Sequence, residues 1–402
     1  MNIIEKFKKL GIDNAPGQEG RQEIGDFDTN CEEIPGTLVD FSHGDVDAFL
    51  PIPGTLESFI EGVKVGGKQA YTEYRGKNSI REYLANKISE FTGTNINFDK
   101  EIILTTGTQG ALFLAMGANI MPDNKVAIVE PDYFANRKLV TFFGGKLVPI
   151  QMEYTKYIDR AGIDLIQLEE AFKSGVKLFV FSNPNNPTGV IYSHNEISSI
   201  AKLANKYEVT VIADELYSRQ IFDERKYIHL CGQDVLPDNL ITIIGPSKTE
   251  SLSGYRLGVA FGTSAVIERM EKLQAIMSLR CSGYNQAVLM NWFNEPSGWM
   301  EERIEQHQSI RDDLLAMLRK VKGVEARTTE GGSYLFVKLP EMKISMHDFV
   351  KVLRTKANVI VTPGTEFGPQ FVDWFRINFS QNHNAAIEAI DRTIKMMEWF
   401  RK

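Results

Sequence analysis

The sequence has few cysteines and no excess of positive charge. Its three cysteines, Cys31, Cys231 and Cys281, lie far apart and show no paired spacing. This spacing indicates neither a disulfide framework nor a zinc site, so we expect no bound metal and a reducing, cytoplasmic compartment. The net charge of −7 argues against nucleic acid or an anionic membrane as the main partner, because either would require a basic surface.

Long apolar runs are also missing. The first 20 residues contain no apolar segment of signal-peptide length, and no later run is long enough to span a bilayer. We therefore predict a protein that is neither exported nor inserted in a membrane. The 402 residues, 43% of them hydrophobic, suffice for one large core and a second, smaller one, so we expect two domains.

Short apolar runs alternate with helical patterns through the middle of the chain. Runs at 126–129, 178–181, 209–213 and 240–244 are apolar on both faces, which is typical of parallel strands covered by helices. Helices are predicted at 165–173, 196–207, 265–278, 299–321 and 346–356. The pattern favours an α/β fold: a three-layer αβα large domain at 46–290 with a mostly parallel sheet, and a smaller α+β domain formed by 1–45 and 291–402.

One lysine and one arginine occur close together in the stretch GPSKTESLSGYRLG, residues 245–258. Lys248 lies among small residues, and Arg256 follows eight residues later. A lysine amine forms Schiff bases once desolvation or nearby positive charge lowers its pKa, and the planar fork of an arginine matches a phosphate. Together they indicate pyridoxal 5'-phosphate, which carries an aldehyde and a phosphate. This window alone leaves a surface loop with two solvated cations as the alternative.

Other loops extend this pattern into a resemblance. The motifs YTEYRG, TTGTQGAL, EPDYF, SNPNNPTG, ADELY, PSKTESLSGYRLG, VTPGTEFG and FRINFS occur in one order between Gly44 and Ser380. In that order they resemble the fold-type I pyridoxal-phosphate enzymes, and within them the class I/II aminotransferases related to aspartate aminotransferase. The resemblance implies an aminotransferase that moves the amino group of an L-amino acid to a 2-oxo acid in a ping-pong cycle.

The resemblance also implies roles for single residues. Lys248 would form the Schiff base with the cofactor and then transfer the substrate proton. Asp214 would pair with the pyridine nitrogen, although a helix cap or a buried ion pair is the alternative for an aspartate at this place. Tyr217 and Asn186 would donate hydrogen bonds to the 3' oxygen of the cofactor. Lys248, Asp214 and Tyr217 are therefore the predicted catalytic residues.

The remaining cofactor contacts lie at the phosphate end and on the ring. Tyr133 would stack on the pyridine ring, and Tyr71 would reach the phosphate of a neighbouring subunit, which implies a homodimer with shared active sites. A turn before a predicted helix would offer its backbone N–H groups to the phosphate. The phosphate-binding set that the resemblance implies consists of Gly107, Thr108, Gln109, Ser247 and Arg256.

Substrate recognition is the least specified part of the prediction. Arg376 would bind the substrate α-carboxylate with help from Gly44 and Asn186, unless it lies on a solvated strand. Glu250 departs from the family pattern, because a carboxylate two residues beyond the lysine must point away from the ring or bind a cationic substrate. Arg280 would either read a substrate carboxylate or lie on the surface at a helix end, and His43 would either line the pocket or cap a turn.

Two other function classes remain to be considered. A lyase, cyclase or oxidase of amino acids, similar to capreomycidine synthase or to aminocyclopropane-carboxylate synthase, would use the same scaffold and cofactor. A non-catalytic regulator similar to aminotransferases would need a helix-turn-helix domain, for which the family pattern leaves no room. The sequence identifies neither the amino donor nor the acceptor.

Overall fold

The computed structural model of the protein describes residues 2–11, 31–43, 48–67, 70–155 and 161–402. Its strands belong to one large and two small sheets. In chain order they are β1 (Val39–Asp40), β2 (Ile102–Thr106), β3 (Lys125–Glu130), β4 (Lys146–Glu153), β5 (Gly162–Ile163), β6 (Leu178–Ser182), β7 (Thr210–Asp214), β8 (Leu240–Ile244), β9 (Leu257–Gly262), β10 (Glu325–Ala326), β11 (Tyr334–Lys338), β12 (Val359–Ile360), β13 (Thr362–Pro363) and β14 (Trp374–Asn378).

The helices lie between these strands and after them. Several begin at polar residues that cap the helix, such as Ser193, whose hydroxyl accepts a hydrogen bond from the backbone N–H of Glu196. They are α1 (Ile3–Lys9), α2 (Thr55–Gly66), α3 (Asn78–Thr92), α4 (Gly107–Gly117), α5 (Phe134–Phe142), α6 (Leu165–Lys173), α7 (His194–Lys206), α8 (Ser264–Met277), α9 (Trp299–Leu318), α10 (Met346–Lys356) and α11 (His383–Phe400).

The large sheet has eight strands in the order β2-β9-β8-β7-β6-β3-β4-β5. The pairs from β8 through β7, β6 and β3 to β4 are parallel, whereas β9 and β5 pair with their neighbours in antiparallel orientation. Successive residues of β3 face two different cores, with Ala127 and Val129 in one and Val126 and Ile128 in the other. Helices cover both faces, so the predicted αβα fold with a mostly parallel sheet is confirmed.

A third core joins the two ends of the chain. The sheet β10-β11-β14-β13 is antiparallel, and β1 pairs in parallel with β12. Phe41 packs in this core with residues of α9, α10 and α11, such as Leu314, Phe349 and Ile390. The segment before residue 44 therefore reaches the cavity described below together with the C-terminal part of the chain.

The sequence patterns located most elements but missed one helix. The predicted bounds 165–173, 240–244 and 346–356 coincide with α6, β8 and α10, and the long helix predicted at 299–321 ends earlier, at Leu318. Helix α2 was not predicted, and a short 3-10 helix, Asn285–Met290, follows α8. Among the described residues, no helix combines the length and the apolar character needed to cross a membrane.

Candidate active site

A cavity of about 180 Å³ opens where the carboxyl ends of β6, β7 and β8 meet the N-terminus of α4. Parallel strands of one sheet end at the same edge, so the loops that follow them converge there. The residues that line the cavity are Ser42, His43, Thr108, Gln109, Leu112, Tyr133, Phe134, Ser182, Pro184, Asn186, Asp214, Leu216, Tyr217, Ser247, Lys248, Arg256, Tyr334 and Arg376.

Asp214 and Lys248 come from neighbouring strands. Asp214 is the last residue of β7 and lies opposite Ile243 of β8, and Lys248 follows β8 after four residues. The Asp214 carboxylate is buried and accepts one hydrogen bond, from the backbone N–H of Leu216 at 3.2 Å. Burial raises the pKa of Asp214 to about 7, because desolvation disfavours the charged carboxylate.

The opposite end of the cavity suits an anion. Thr108 and Gln109 lie in the first turn of α4, where the backbone N–H groups have no partners within the helix. Arg256 lies beside this turn, so close that a Cβ atom on Gly107 would come within 2.5 Å of its guanidinium. A Cβ atom on Gly258 would come within 2.3 Å of the Gly107 carbonyl carbon. The two glycines therefore allow the arginine and the helix N-terminus to face one ligand.

Two tyrosines and an asparagine lie between these ends. The Tyr133 hydroxyl donates a hydrogen bond to Gln109 Oε1 at 3.0 Å, which fixes the ring beside the first turn of α4. Tyr217 and Asn186 are both buried. The backbone N–H of Asn186 donates to Ser182 Oγ at 3.1 Å, and Ser182 in turn contacts the buried Asp132. The structure therefore brings these predicted side chains together at one cavity.

Arg376 projects into the cavity from the small sheet. It lies in the middle of β14 and is only 2% exposed, so the alternative of a solvated strand is wrong. Its guanidinium donates to Asn186 Oδ1 at 3.0 Å and to the backbone carbonyl of Ser42 at 2.9 Å. Its Nε atom has no hydrogen-bond partner among the described residues. A buried guanidinium with spare donor capacity is suited to bind a carboxylate.

Not every predicted site residue lies at the cavity. Gly44 falls outside the described residues. Gly107 supports the cavity from behind, against Arg256, whereas Tyr71 is 75% exposed on the surface and lines no part of it. The Arg280 guanidinium lies 4.6 Å from the centre of the Tyr71 ring and donates to the Thr72 carbonyl at 2.6 Å. Tyr71 and Arg280 thus form one surface cluster on this chain.

Glu250 and His43 now have definite surroundings. Glu250 is 1% exposed and accepts a hydrogen bond from Arg219 at 2.7 Å, outside the cavity, so it points away from the ligand. Arg219 also contacts Glu295. His43 lines the cavity and its Nε2 atom lies 3.0 Å from the Asp40 carboxylate. His43 is therefore a lining residue rather than only a turn cap.

Sequence reasoning missed Tyr334, Ser182 and the buried Asp132. Burial raises the pKa of Asp132 to about 7. Its carboxylate accepts from the backbone N–H groups of Ser182 and Tyr133, at 3.0 and 2.6 Å, so it holds two loops of the cavity together. The motif EPDYF contained this aspartate, and the adjacency of Asp132 to Tyr133 was the signal that could have found it.

Comparisons with known proteins agree with this geometry. Residues 37–392 match the model of the family "Aminotransferase class I and II". The chain belongs to this family. The aspartate aminotransferase of Sulfolobus acidocaldarius is 28% identical over 335 residues, covering 81% of this chain and 82% of that protein. A crystal structure of an aspartate aminotransferase from Rhodobacter sphaeroides is 55% identical, covers 100% of both chains and superposes with a TM-score of 0.93.

Membership in the family decides between the function classes. This aminotransferase is an enzyme that transfers amino groups between amino acids and 2-oxo acids, as predicted from the motifs. The lyase, cyclase or oxidase alternative is not favoured. Enzymes of this family use pyridoxal 5'-phosphate. Alanine aminotransferase from Pyrococcus furiosus, 25% identical with a TM-score of 0.81, is a further structural relative, so the fold alone leaves the amino donor open.

Proposed function

We propose that this aminotransferase binds pyridoxal 5'-phosphate through Lys248 and uses an acidic L-amino acid as donor. The observation that carries the cofactor assignment is the meeting of Lys248, Asp214 and Arg256 at one cavity. The residues fit the group at both ends. The turn at Thr108 and Arg256 matches a phosphate, and the buried carboxylate of Asp214, with its raised pKa, matches a protonated pyridine nitrogen.

The bound cofactor supplies an aldehyde that captures amines and a ring that withdraws electrons from the substrate Cα. With the cofactor bound, Asp214 would hold the proton on the ring nitrogen, and Arg256 with the first turn of α4 would bind the phosphate. Lys248 would hold the cofactor between turnovers and would accept and return the substrate Cα proton. Tyr217 and Asn186 would hydrogen-bond the 3' oxygen and keep the ring in one orientation.

Arg376 binds and orients the substrate. Its two donor edges match the α-carboxylate, and its contacts with Asn186 and Ser42 fix the guanidinium before the substrate arrives. The acidic donor is supported by the relatives from Sulfolobus acidocaldarius and Rhodobacter sphaeroides, both of which are aspartate aminotransferases. His43 lies next to Ser42 at the same end of the cavity.

Removing the lysine tests the cofactor assignment. Wild-type protein loaded with pyridoxal phosphate should show a visible absorption band that survives gel filtration, and reduction with borohydride should remove this band and leave the cofactor covalently attached to Lys248. Lys248→Ala should lack the attached band and lose amino transfer. Lys125→Ala, which removes an exposed lysine at the start of β3, is the matched control and should behave like wild type. An attached band in Lys248→Ala would refute the assignment.

The amino donor is tested separately. With the loaded enzyme, acidic, basic and aromatic L-amino acids are compared by the rate at which each bleaches the visible band in the absence of a 2-oxo acid. We expect L-aspartate or L-glutamate to react fastest. A faster reaction with a basic or aromatic donor would contradict the acidic donor and leave the cofactor assignment intact.

We also propose a homodimer in which Tyr71 reaches the phosphate in the neighbouring subunit. The loop at 70–74 contacts the loop at 278–284, which also contacts α2, so Tyr71 lies on the surface near this helix. Large apolar side chains exposed on α2 and α8 would be covered by a second copy. They are Leu56, Ile60, Val63 and Ile276, which are 59, 43, 40 and 83% exposed.

The dimer proposal has two measurable consequences. Sedimentation should show a dimer, and Tyr71→Phe should weaken pyridoxal-phosphate binding by about tenfold, because one hydrogen bond to a charged group is lost. Tyr74→Phe is the matched control, since Tyr74 stacks on the other side of Arg280 and has no assigned role. A monomer with unchanged cofactor affinity in Tyr71→Phe would refute shared sites.

A further inference from the structure

Tyr334 lies between the two ends of the active site. It is the first residue of β11, pairs in register with Asn378 of β14, and is 4% exposed. Its hydroxyl lies 2.9 Å from the hydroxyl of Tyr217, and the two rings meet edge to face with an interplanar angle of 80°. Arg376 lies over the face of the Tyr334 ring, with its guanidinium carbon 4.2 Å from the ring centre.

The pair of hydroxyls has two possible arrangements. Each phenol has one O–H to donate, and only one of the two hydrogens can lie between the oxygens. If Tyr217 donates to Tyr334, its hydrogen is used and it cannot donate to the cofactor. If Tyr334 donates, the Tyr217 hydrogen remains available for an acceptor in the cavity.

In the structure the Tyr217 hydroxyl donates to Tyr334. A cation over the face of a phenol ring draws electron density from the ring and makes its O–H the stronger donor. Because Arg376 lies over the Tyr334 ring, Tyr334 becomes the donor of the pair once an anionic oxygen in the cavity accepts the Tyr217 hydrogen. The arrangement strengthens the second bond as well, since a hydroxyl that accepts one hydrogen bond donates a stronger one.

The remaining groups around Tyr217 do not replace Tyr334. The Tyr217 ring packs on Gly332, and Tyr133 and Arg376 act on its hydroxyl from the start of α5 and the middle of β14. Asp214 lines the same cavity from the end of β7. Lys248 lines the same cavity from the loop after β8, and Arg256 faces Tyr133. Among the described residues, Tyr334 is the hydrogen-bond partner of the Tyr217 hydroxyl.

We propose that Tyr334 is a positioning residue that turns the hydroxyl hydrogen of Tyr217 toward the 3' oxygen of the cofactor. The inference rests on the proposed function, because it concerns the cofactor bound through Lys248. It adds a residue from the small sheet to the electronic control of the cofactor. Through its ring, the same residue joins the carboxylate-binding Arg376 to the Tyr217 hydroxyl.

The test is a pH titration of the visible band. A hydrogen bond from Tyr217 to the 3' oxygen stabilises the deprotonated Lys248 imine, so its loss raises the midpoint. We expect Tyr217→Phe to raise the midpoint by about one pH unit. Tyr334→Phe keeps the ring beneath Arg376 and should raise it by ~0.3 of a pH unit, because only the strengthening of the Tyr217 bond is lost.

A double variant separates positioning from an independent effect. If Tyr334 acts through Tyr217, Tyr217→Phe/Tyr334→Phe should titrate like Tyr217→Phe alone, since nothing remains to be oriented. Tyr154→Phe is the matched control. Tyr154 is a buried tyrosine outside the cavity, and its hydroxyl donates to the carbonyl of Phe336 in β11, the strand that contains Tyr334. It should leave the midpoint unchanged.

Three results would overturn the inference: no change in Tyr334→Phe, a lower midpoint in Tyr334→Phe, or additive shifts in the double variant. Thermal unfolding shows whether each variant is folded. If Tyr334→Phe unfolds at a lower temperature than wild type, Tyr334→Met takes its place in the same titration. Loss of the proposed function itself would appear differently, as a wild-type protein without a Lys248-dependent band.

Discussion

Replacing Arg376 by lysine separates the geometry of carboxylate binding from its charge. The guanidinium is 2% exposed and is held by Asn186 Oδ1, the Ser42 carbonyl and, at 3.4 Å, Thr362 Oγ1. Lysine keeps the positive charge but offers a point instead of a planar fork. Arg376→Lys should therefore retain attraction for the carboxylate and lose one of the two hydrogen bonds that orient it.

The size of the effect follows from the bond that is lost. A hydrogen bond between charged groups contributes about 1.5–3 kcal/mol. This corresponds to a decrease in kcat/KM for the amino donor of about 10- to 150-fold. The interaction is present in both the bound substrate and the transition state, so we expect most of the loss to appear as a higher KM. The absorption band of the bound cofactor should remain.

Two comparisons make this prediction refutable. Arg392→Lys is the matched control, because Arg392 is also buried and donates to the Ala357 and Thr37 carbonyls, far from the cavity. It should lower stability without changing kcat/KM. An amine that lacks the α-carboxylate should react equally slowly with wild type and Arg376→Lys. A loss of similar size for this amine, or no loss for the amino acid, would show that Arg376 does not bind the carboxylate.

Two further predictions concern buried carboxyl groups. The native pKa of Asp214, about 7, lies above its ordinary value of 3.8, so its contribution to the stability of the cofactor-free protein is present below pH ~4 and is lost as the pH rises to about 8. Asp214→Asn should remove the part of this loss that falls between pH 5 and pH 8, about 2.5 kcal/mol, in urea unfolding at those two pH values; an unchanged pH dependence would contradict it. Glu250→Gln should lower the free energy of unfolding by about 1–3 kcal/mol because the half-buried Arg219 would keep Glu295 as its only carboxylate partner among the described residues, whereas exposed Glu301→Gln should not. Equal stability of these two variants in chemical denaturation would show that the Arg219 cluster is not stabilising.

Element bounds were predictable where local chemistry fixes them. The Asp164 side chain accepts hydrogen bonds from the first backbone N–H groups of α6, and Ser345 does the same for α10. Helix α2 was missed because Gly62 and Gly66 interrupt its pattern. The structure requires small residues there, since a Cβ atom at Gly62 would come within 2.5 Å of the Tyr284 carbonyl. That contact joins positions more than 200 residues apart in the sequence.

At the cavity, too, residues within local motifs were predictable, whereas contacts between residues distant in the sequence were not. Residues such as Asp214 and Lys248 were predictable because Asp214 ends an apolar strand and Lys248 follows one, each within a continuous sequence motif. Tyr334 lies 117 residues from Tyr217, and Glu250 lies 31 residues from Arg219. Neither pairing leaves a local signal. The carboxylate of Glu250 looked anomalous beside Lys248 because its partner is supplied by another loop.

Topology explains why the proposed cofactor contacts have clearer sequence signals than the proposed substrate contacts. Asn186, Asp214 and Lys248 lie at or after the carboxyl ends of the parallel strands β6, β7 and β8, which share one edge of a single sheet. Arg376 instead comes from β14 of the second sheet, and its guanidinium is held partly by Ser42 from the N-terminal segment. Carboxylate recognition therefore depends on how the small sheet and this segment pack against the large one. Substitutions in that packing should alter KM for the amino donor before they alter cofactor binding.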